Sequence, residues 1–430
     1  MSERIPVIAI FDIGKTNKKL LLFNEQYDVL HDETIQLPET TDEDGFPCED
    51  IRTLSDWVTT RFFAIRQDPR FEIRAVNYSG YGASFVYLDE NRDVIGPLYN
   101  YLKPFPPALL QKFYSDYGGE DHFSKVTASP VLGNLNSGMQ LYRLKYERPE
   151  VFERIKYALH LPQYLCFLLT GSLHSDITSV GCHTNLWNFG RMDYHEWVRK
   201  ETIEEKLAPL FSCEGIAGFA NGSVPSGVGL HDSSAALIPY YDPSNVPFVL
   251  ISTGTWCISL NPFNHSPLTG DELKQDCLCY LSYTGEPIKA ARLFAGDEHE
   301  KHIRHLAAHF TRPVEYYSTV KADLNFHDQA VPKEWKSCGT YEEAYHRIMA
   351  GIIQQQKRST DLVLKGAEVK TIYVDGGFSK NPIYMHMLAE AYAGMEVVAA
   401  SVPQASALGA AMVIDRHWNT KNPLYADKGY

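Results

Sequence analysis

The sequence predicts an α/β protein built from two duplicated domains, and three observations carry that prediction. The chain opens on an apolar strand, a polar turn and a second strand over residues 6–24. The same strand–turn–strand pattern returns at 247–260, about half a chain later. Around both copies, short apolar runs alternate with helix-length segments. With 430 residues, and roughly 150 per domain, two or three cores can be filled.

Taken in order, Pro6–Ile13 supplies the first strand and enters the turn Asp12-Ile13-Gly14-Lys15-Thr16-Asn17. Lys18–Asn24 (KKLLLFN) is the second strand, and Glu25–Asp28 the next turn. Further strands are expected at Arg74–Tyr78 and Ser84–Leu88. Helices are expected over Gly138–Tyr146 and Pro162–Leu169, the latter ended by Thr170-Gly171. Phe219–Gly229 (FANGSVPSGVG) is rich in Gly, Ser and Pro and marks the expected boundary. That divides the chain into an N-terminal domain, 1–225, and a C-terminal one, 226–430. Beyond it, Gly227–Ala236 leads into a helix with Asp232 near its start. The second copy, Pro247–Leu260, turns at Ser252-Thr253-Gly254-Thr255. A strand at Thr371–Val374 meets Gly376-Gly377, then a helix through Ile383–Tyr392, with Ser379 or Asn381 as cap and Pro382 in its first turn. A strand Val397–Val402 and a small-residue helix Ser406–Ala411 follow.

Composition narrows the function. Lys+Arg number 40 against 53 Asp+Glu, a formal charge of −13, which argues against a binder of nucleic-acid phosphates. No apolar run approaches the roughly 18 residues a membrane span needs, and the start, Met1 to Pro6, lacks the plan of a signal peptide. Eight cysteines in a chain this long make no disulfide scaffold, and Cys277-x-Cys279 has no completing pair for zinc. The expectation is a cytoplasmic protein with reduced thiols.

Three turns carry chemistry. At 12–17 a carboxylate ends a strand and is followed by glycine and hydroxyl or amide donors; the backbone can approach a phosphate there, and Asp12 can hold Mg²⁺ through water. An Asp-Gly hairpin turn is the alternative. Thr253, Gly254 and Thr255 repeat that chemistry, so two loops could grip a polyphosphate. Gly376 and Gly377 leave room for a flat ring such as adenine on the backbone. Asp232 either caps its helix or acts as a general base, and the residues leave both open. His299, His302, His305 and His309 sit at helical spacing but in a charged, solvated-looking helix, a weak case for zinc. Neither G-x-x-x-x-G-K-[ST] nor G-x-G-x-x-G after a strand occurs.

In this order the motifs resemble the FGGY family of carbohydrate kinases, and most of all its rhamnulokinase and fuculokinase branch. The resemblance rests on DIGKTN at 12–17, LPQYLCFLLTGSLHSDITSVG at 161–181, HDSSAA at 231–236, STGTW at 252–256, ARLFAGDEHE at 291–300, and VDGGFSKNP at 374–382 with SALGAA at 406–411. It implies two duplicated domains of the actin, hexokinase and Hsp70 type (ribonuclease H-like) around a central cleft. It further implies an ATP- and Mg²⁺-dependent kinase acting on a primary hydroxyl of a small ketose, such as L-rhamnulose, L-fuculose or a pentulose. Asp232 matches the family's catalytic aspartate. Asp12, Gly14, Lys15, Thr16, Asn17, Thr253, Gly254, Thr255, Gly376, Gly377, Ser379 and Asn381 match the nucleotide segments, with Asp12 toward the metal. Gly82, Ala83, Asn100 and Tyr101 match sugar contacts. Lys15 and Gln404 depart from the common pattern. The implied partner is a small sugar, without nucleic acid or membrane, on a monomer or homodimer. Rival readings are an inert sugar-binding regulator and an actin- or chaperone-type ATPase on the same fold.

Overall fold

The structure, a computed structural model, describes residues 4–241, 246–323, 335–400, 402 and 404–420. Met1 to Glu3, and Ser401 of the expected strand Val397–Val402, lie outside the described residues. The rest falls into two compact units. One comprises the described residues of Met1–Tyr241, Cys279–Glu286 and Gln404–Tyr430; the other those of Asp242–Leu278 and Pro287–Pro403.

The first unit is built on a seven-stranded sheet: β1 (Ile5–Ile13), β2 (Lys18–Asn24), β3 (Val29–Ile35), β4 (Phe71–Gly80), β5 (Gly218–Ala220), β6 (Val224–Ser226) and β7 (Leu230–His231). Its order is β5-β6-β4-β1-β2-β3, with β7 also paired to β4. Side chains of a strand alternate between faces, and β1 shows why all but Asp12 of its residues are apolar. Val7, Ala9, Phe11 and Ile13 join a core with Leu54, Val58 and Phe62 of the helix Ile51–Gln67. Ile8 and Ile10 join another with Ala407, Ala410 and Trp418. Both faces are covered, so both are hydrophobic. A further aromatic core around Phe113, Tyr142 and Trp197 lies over the small sheet that holds Phe85–Leu88. The expected helices appear as Ser137–Glu147 and Leu161–Thr170, the latter closed by Gly171 in the left-handed region at φ 74°.

One expectation is corrected here. The stretch 219–229 is no boundary: it forms β5, β6 and the turn into β7, all within the first unit. Its glycines answer to packing, because a Cβ on Gly227 would strike the Asn77 amide and one on Gly229 (φ 85°) would strike Pro162. The compact units divide after Tyr241 instead. The small-residue helix, observed as Ala405–Met412, groups with the first unit.

The second unit centres on a sheet of β8 (Phe248–Thr253), β9 (Cys257–Asn261), β10 (Cys277–Leu281, whose residues from Cys279 on group with the first unit), β11 (Pro287–Leu293), β12 (Thr371–Gly376) and β13 (Glu396–Ala399), in the order β10-β11-β9-β8-β12-β13. The duplication is visible in the pairing. β1 lies antiparallel to β2 and parallel to β4; β8 lies antiparallel to β9 and parallel to β12. Helices Ala295–Phe310, Tyr341–Leu364 and Pro382–Ala391 accompany this sheet. All eight cysteines are buried thiols outside any disulfide. Among the described residues, no helix is long and apolar enough to cross a membrane.

Candidate functional site

In the first unit the hairpin register sets Asp12 of β1 opposite Lys19 of β2. The Asp12 carboxylate accepts from Ser406 Oγ at 3.0 Å. Burial first, and then the negative charge of Asp232, push its carboxyl from 3.8 up to about 6, against the opposing pull of Lys19. Lys19 itself donates to Gln404 Oε1 at 2.5 Å. The 12–17 turn closes through Gly14 N–H to Asn17 O at 2.9 Å. Beneath it, Lys18 is only 2% exposed; it donates to Gly14 O at 3.2 Å and Lys15 O at 2.9 Å and pairs with buried Glu49 at 2.5 Å. Lys15 points its ammonium to Glu39 at 2.6 Å, and Thr16 and Asn17 are exposed.

Asp232 is the first residue of the helix Asp232–Leu237, but its N-cap is His231, whose Nδ1 accepts from Ser233 N–H at 3.2 Å. Asp232 shares that first-turn N–H with His231. Its Oδ1 accepts from Ser233 N–H at 2.6 Å, while Oδ2 has no partner among the described residues and the side chain is 35% exposed. The other ring nitrogen of His231, Nε2, lies 3.2 Å from Cys182 Sγ. This ring fills the space over Gly82, where a Cβ would come within 2.5 Å of it. The helix is seated by Gly409, at which any Cβ would run into the Ala235 carbonyl. Buried Asn77 ties the parts together: it donates to Ala410 O at 2.8 Å and accepts from Gly229 N–H at 3.1 Å.

The sugar candidates separate. Tyr101 is half-buried, with its phenol pKa raised by burial and then by Asp232, so it lies in the field of that carboxylate. Ala83 is buried at φ 62° and its carbonyl accepts from Gln140 at 2.7 Å. Asn100 uses its amide locally, donating to Pro47 O and accepting from Leu102 N–H, both at 3.0 Å. It holds a turn.

In the second unit a cavity of about 470 Å³ is lined by Thr253, Gly254, Thr255, Gly377 and Asn381 of the predicted set. Its size lies within the usual range for a small-molecule site. Thr253 is a clamp rather than a free donor: its hydroxyl donates to Asp375 O at 2.5 Å and accepts from Phe378 N–H at 2.9 Å. Gly376 (φ 87°) leaves no room for a Cβ beside the Thr253 carbonyl, whereas Gly377 meets nothing closer than 3.9 Å. Gly376 thus shapes the turn, and Gly377 keeps the cavity open. Ser379 does not line the cavity, and its hydroxyl returns to Gly376 O at 2.8 Å. Asn381, not Ser379, caps the helix.

Sequence reasoning missed Lys18, Lys19 and Asn77, whose partners are distant or hidden in a strand. It missed Gly296, where a Cβ would run into the Gly254 carbonyl. The four histidines do not share an exposed face: His299 is buried and lines the cavity, while His305 and His309 are exposed. No metal-holding group of three or more His, Cys, Asp or Glu occurs among the described residues.

Comparison with known proteins agrees over nearly the whole chain. Residues 7–237 match the family model for the N-terminal domain of the FGGY family of carbohydrate kinases, and 245–422 match that for the carbohydrate kinase FGGY C-terminal domain. A rhamnulokinase of Mannheimia succiniciproducens is 22% identical over 94% of this chain and 88% of its own. A probable L-xylulose kinase of Pasteurella multocida is 23% identical over 63% and 61%. Among solved structures, a carbohydrate kinase from Novosphingobium aromaticivorans superposes with TM-score 0.79, 21% identity and coverage of 97% and 93%. A ligand-bound xylulose kinase from Lactobacillus acidophilus gives 0.81, 16%, and 96% and 89%.

Proposed function

The chain belongs to the FGGY family of carbohydrate kinases, and from that premise we propose that it transfers the terminal phosphoryl group of ATP to a primary hydroxyl of a small ketose. The observation that carries the reading is the state of Asp232. It is a partly exposed carboxylate with one oxygen uncommitted, on a helix start that His231 already caps. Such a group can take the proton of a sugar hydroxyl as it attacks. Tyr101 and the His231 ring over Gly82 are the neighbours that would shape the sugar's surroundings. A deoxyhexulose such as L-rhamnulose or L-fuculose, or a pentulose, is the substrate class, in keeping with the relatives named rhamnulokinase and L-xylulose kinase.

ATP is the donor that sugar kinases of this family use. In this chain the cavity of the second unit would take its nucleoside end, with Gly377 keeping the floor clear and Gly254 and Thr255 offering donors to phosphate. Asp12 and Asp232 raise the local negative charge, and the nearby cation, Lys19, is engaged with Gln404. This arrangement fits Mg²⁺, which is held by one or two carboxylates together with substrate phosphates. Asp12 would hold it, and when bound it would offset phosphate charge during transfer. Asp232 remains the proton acceptor, and Ser406 keeps the Asp12 carboxylate oriented.

The test is ADP release measured with a panel of ketoses and polyols. One or a few ketoses should stimulate release strongly. Release that no sugar stimulates would point to an ATPase on this fold, and sugar binding without release to an inert binder.

A further inference from the structure

The cavity of the second unit contains a histidine whose proton is placed by a chain of hydrogen bonds. The chain begins at the helix Pro382–Ala391. Asn381 Oδ1 accepts from the backbone N–H groups of Ile383 at 3.0 Å and Tyr384 at 3.2 Å. That fixes which end of the amide is oxygen, so the other end, Nδ2, donates to the Tyr345 hydroxyl at 2.7 Å. Tyr345 is fully buried. Its one hydroxyl hydrogen needs an acceptor, since leaving it unpaired would cost the full desolvation of the group. The acceptor offered is His299 Nε2, at 3.0 Å. Nε2 therefore carries no proton. Burial holds the imidazole pKa down to about 4, so the ring is neutral at pH 7 and its single proton lies on Nδ1. Among the described residues no group accepts from Nδ1, and this nitrogen is not one of the sealed, unpartnered atoms of the interior. It is open to the cavity that His299 lines.

We infer that His299 is a nucleotide-selecting residue whose Nδ1–H donates to an acceptor atom in the nucleoside part of ATP, with Asn381 and Tyr345 as the positioning residues that hold this tautomer. The inference rests on the nucleotide occupying this cavity. The surroundings favour the nucleoside over the phosphates. Tyr317 and Phe378 meet the His299 ring edge-on at 5.1 and 5.2 Å, so that part of the wall is aromatic. An uncharged donor suits a neutral acceptor, whereas phosphate oxygens form their stronger bonds with charged donors.

Two independent measurements test it on the full chain. With histidine-selective ¹⁵N labelling and no nucleotide present, long-range NMR should show His299 protonated at Nδ1 and bare at Nε2, and Tyr345→Phe should lose that pattern. A parent ring protonated at Nε2 overturns the inference. In calorimetry with ADP, His299→Phe should weaken binding roughly five- to tenfold, the worth of about one net hydrogen bond. His299→Asn, whose amide N–H can stand in for Nδ1–H, should recover most of that, and Tyr345→Phe should weaken ADP while leaving the sugar KM in place. Analogues of ADP lacking one ring nitrogen or one ribose hydroxyl identify the acceptor: one of them should weaken the parent and leave His299→Phe unaffected. Equal sensitivity of parent and variant to every analogue overturns the inference. Gly377→Val separates the two levels. If it leaves ADP affinity unchanged, the nucleotide reading of this cavity fails, and this inference with it. If it weakens ADP while His299→Phe does not, only the role of His299 fails.

Discussion

Replacing Asp12 by Asn should make the ligand-free protein more stable while disabling it. In the fold the Asp12 carboxyl is raised from 3.8 to about 6, by burial first and the charge of Asp232 next. A carboxyl with a raised folded pKa binds more protons folded than unfolded between about pH 4 and 6, so stability falls as pH rises through that window. Above it the full cost applies. A shift of about two units at 1.36 kcal/mol each is on the order of 3 kcal/mol. Asn has the same shape, can still accept from Ser406, and carries no charge to be desolvated. The variant should therefore exceed the parent by up to about 3 kcal/mol at pH 7.5, roughly 5–10 °C in Tm for a domain of this general size. The gap should shrink to below about 1 kcal/mol as pH falls to about 4, where the folded carboxyl is protonated and the unfolded one about half so. Thermal unfolding of both proteins from pH 4 to 7.5 without nucleotide reads the difference, and steady-state assays should show that most turnover is gone. A variant no more stable at pH 7.5, or a gap that does not narrow toward pH 4, refutes the reasoning.

Asp232→Asn should unfold like the parent, because His231 supplies the cap, and should keep its ADP affinity while turnover drops by about two to four orders of magnitude; near-full turnover would end its role as the base. Lys18→Met removes one partner of a buried pair and should cost about 3–5 kcal/mol in urea unfolding. Adding Glu49→Gln to Lys18→Met should restore part of that stability but not turnover, because the Gly14 and Lys15 carbonyls still lack their tether. Turnover recovering together with stability would confine Lys18 to a folding role.

Local sterics and periodicity wrote much of this fold into adjacent residues. KKLLLFN is a strand with the limits the sequence predicts, Lys18–Asn24, because its apolar run ends in turn formers on both sides. Asn381-Pro382 starts its helix as expected, since a capping amide and a residue without an N–H act within one turn. The repeated strand–turn–strand units announced the duplication, and the order of the motifs announced the family. What remained hidden depends on atoms distant in sequence. Glycine at 227 and 229 looked like a linker until Asn77 and Pro162 were seen to occupy the space a Cβ needs. The reason for glycine in the small-residue helix shows only in the fold, where Gly409 lies against the Ala235 carbonyl. Thr253 and Ser379 match nucleotide segments and Asn100 a sugar contact, yet each spends polar atoms on backbone groups brought to it by the fold. His299 read as one of four surface histidines, and only Tyr345, 46 residues away in sequence, determines where its proton sits. Residue type and local pattern decide which groups a chain can offer to chemistry. Which of them stay uncommitted is decided by hydrogen-bond partners and excluded volume, and those exist only after the chain has folded.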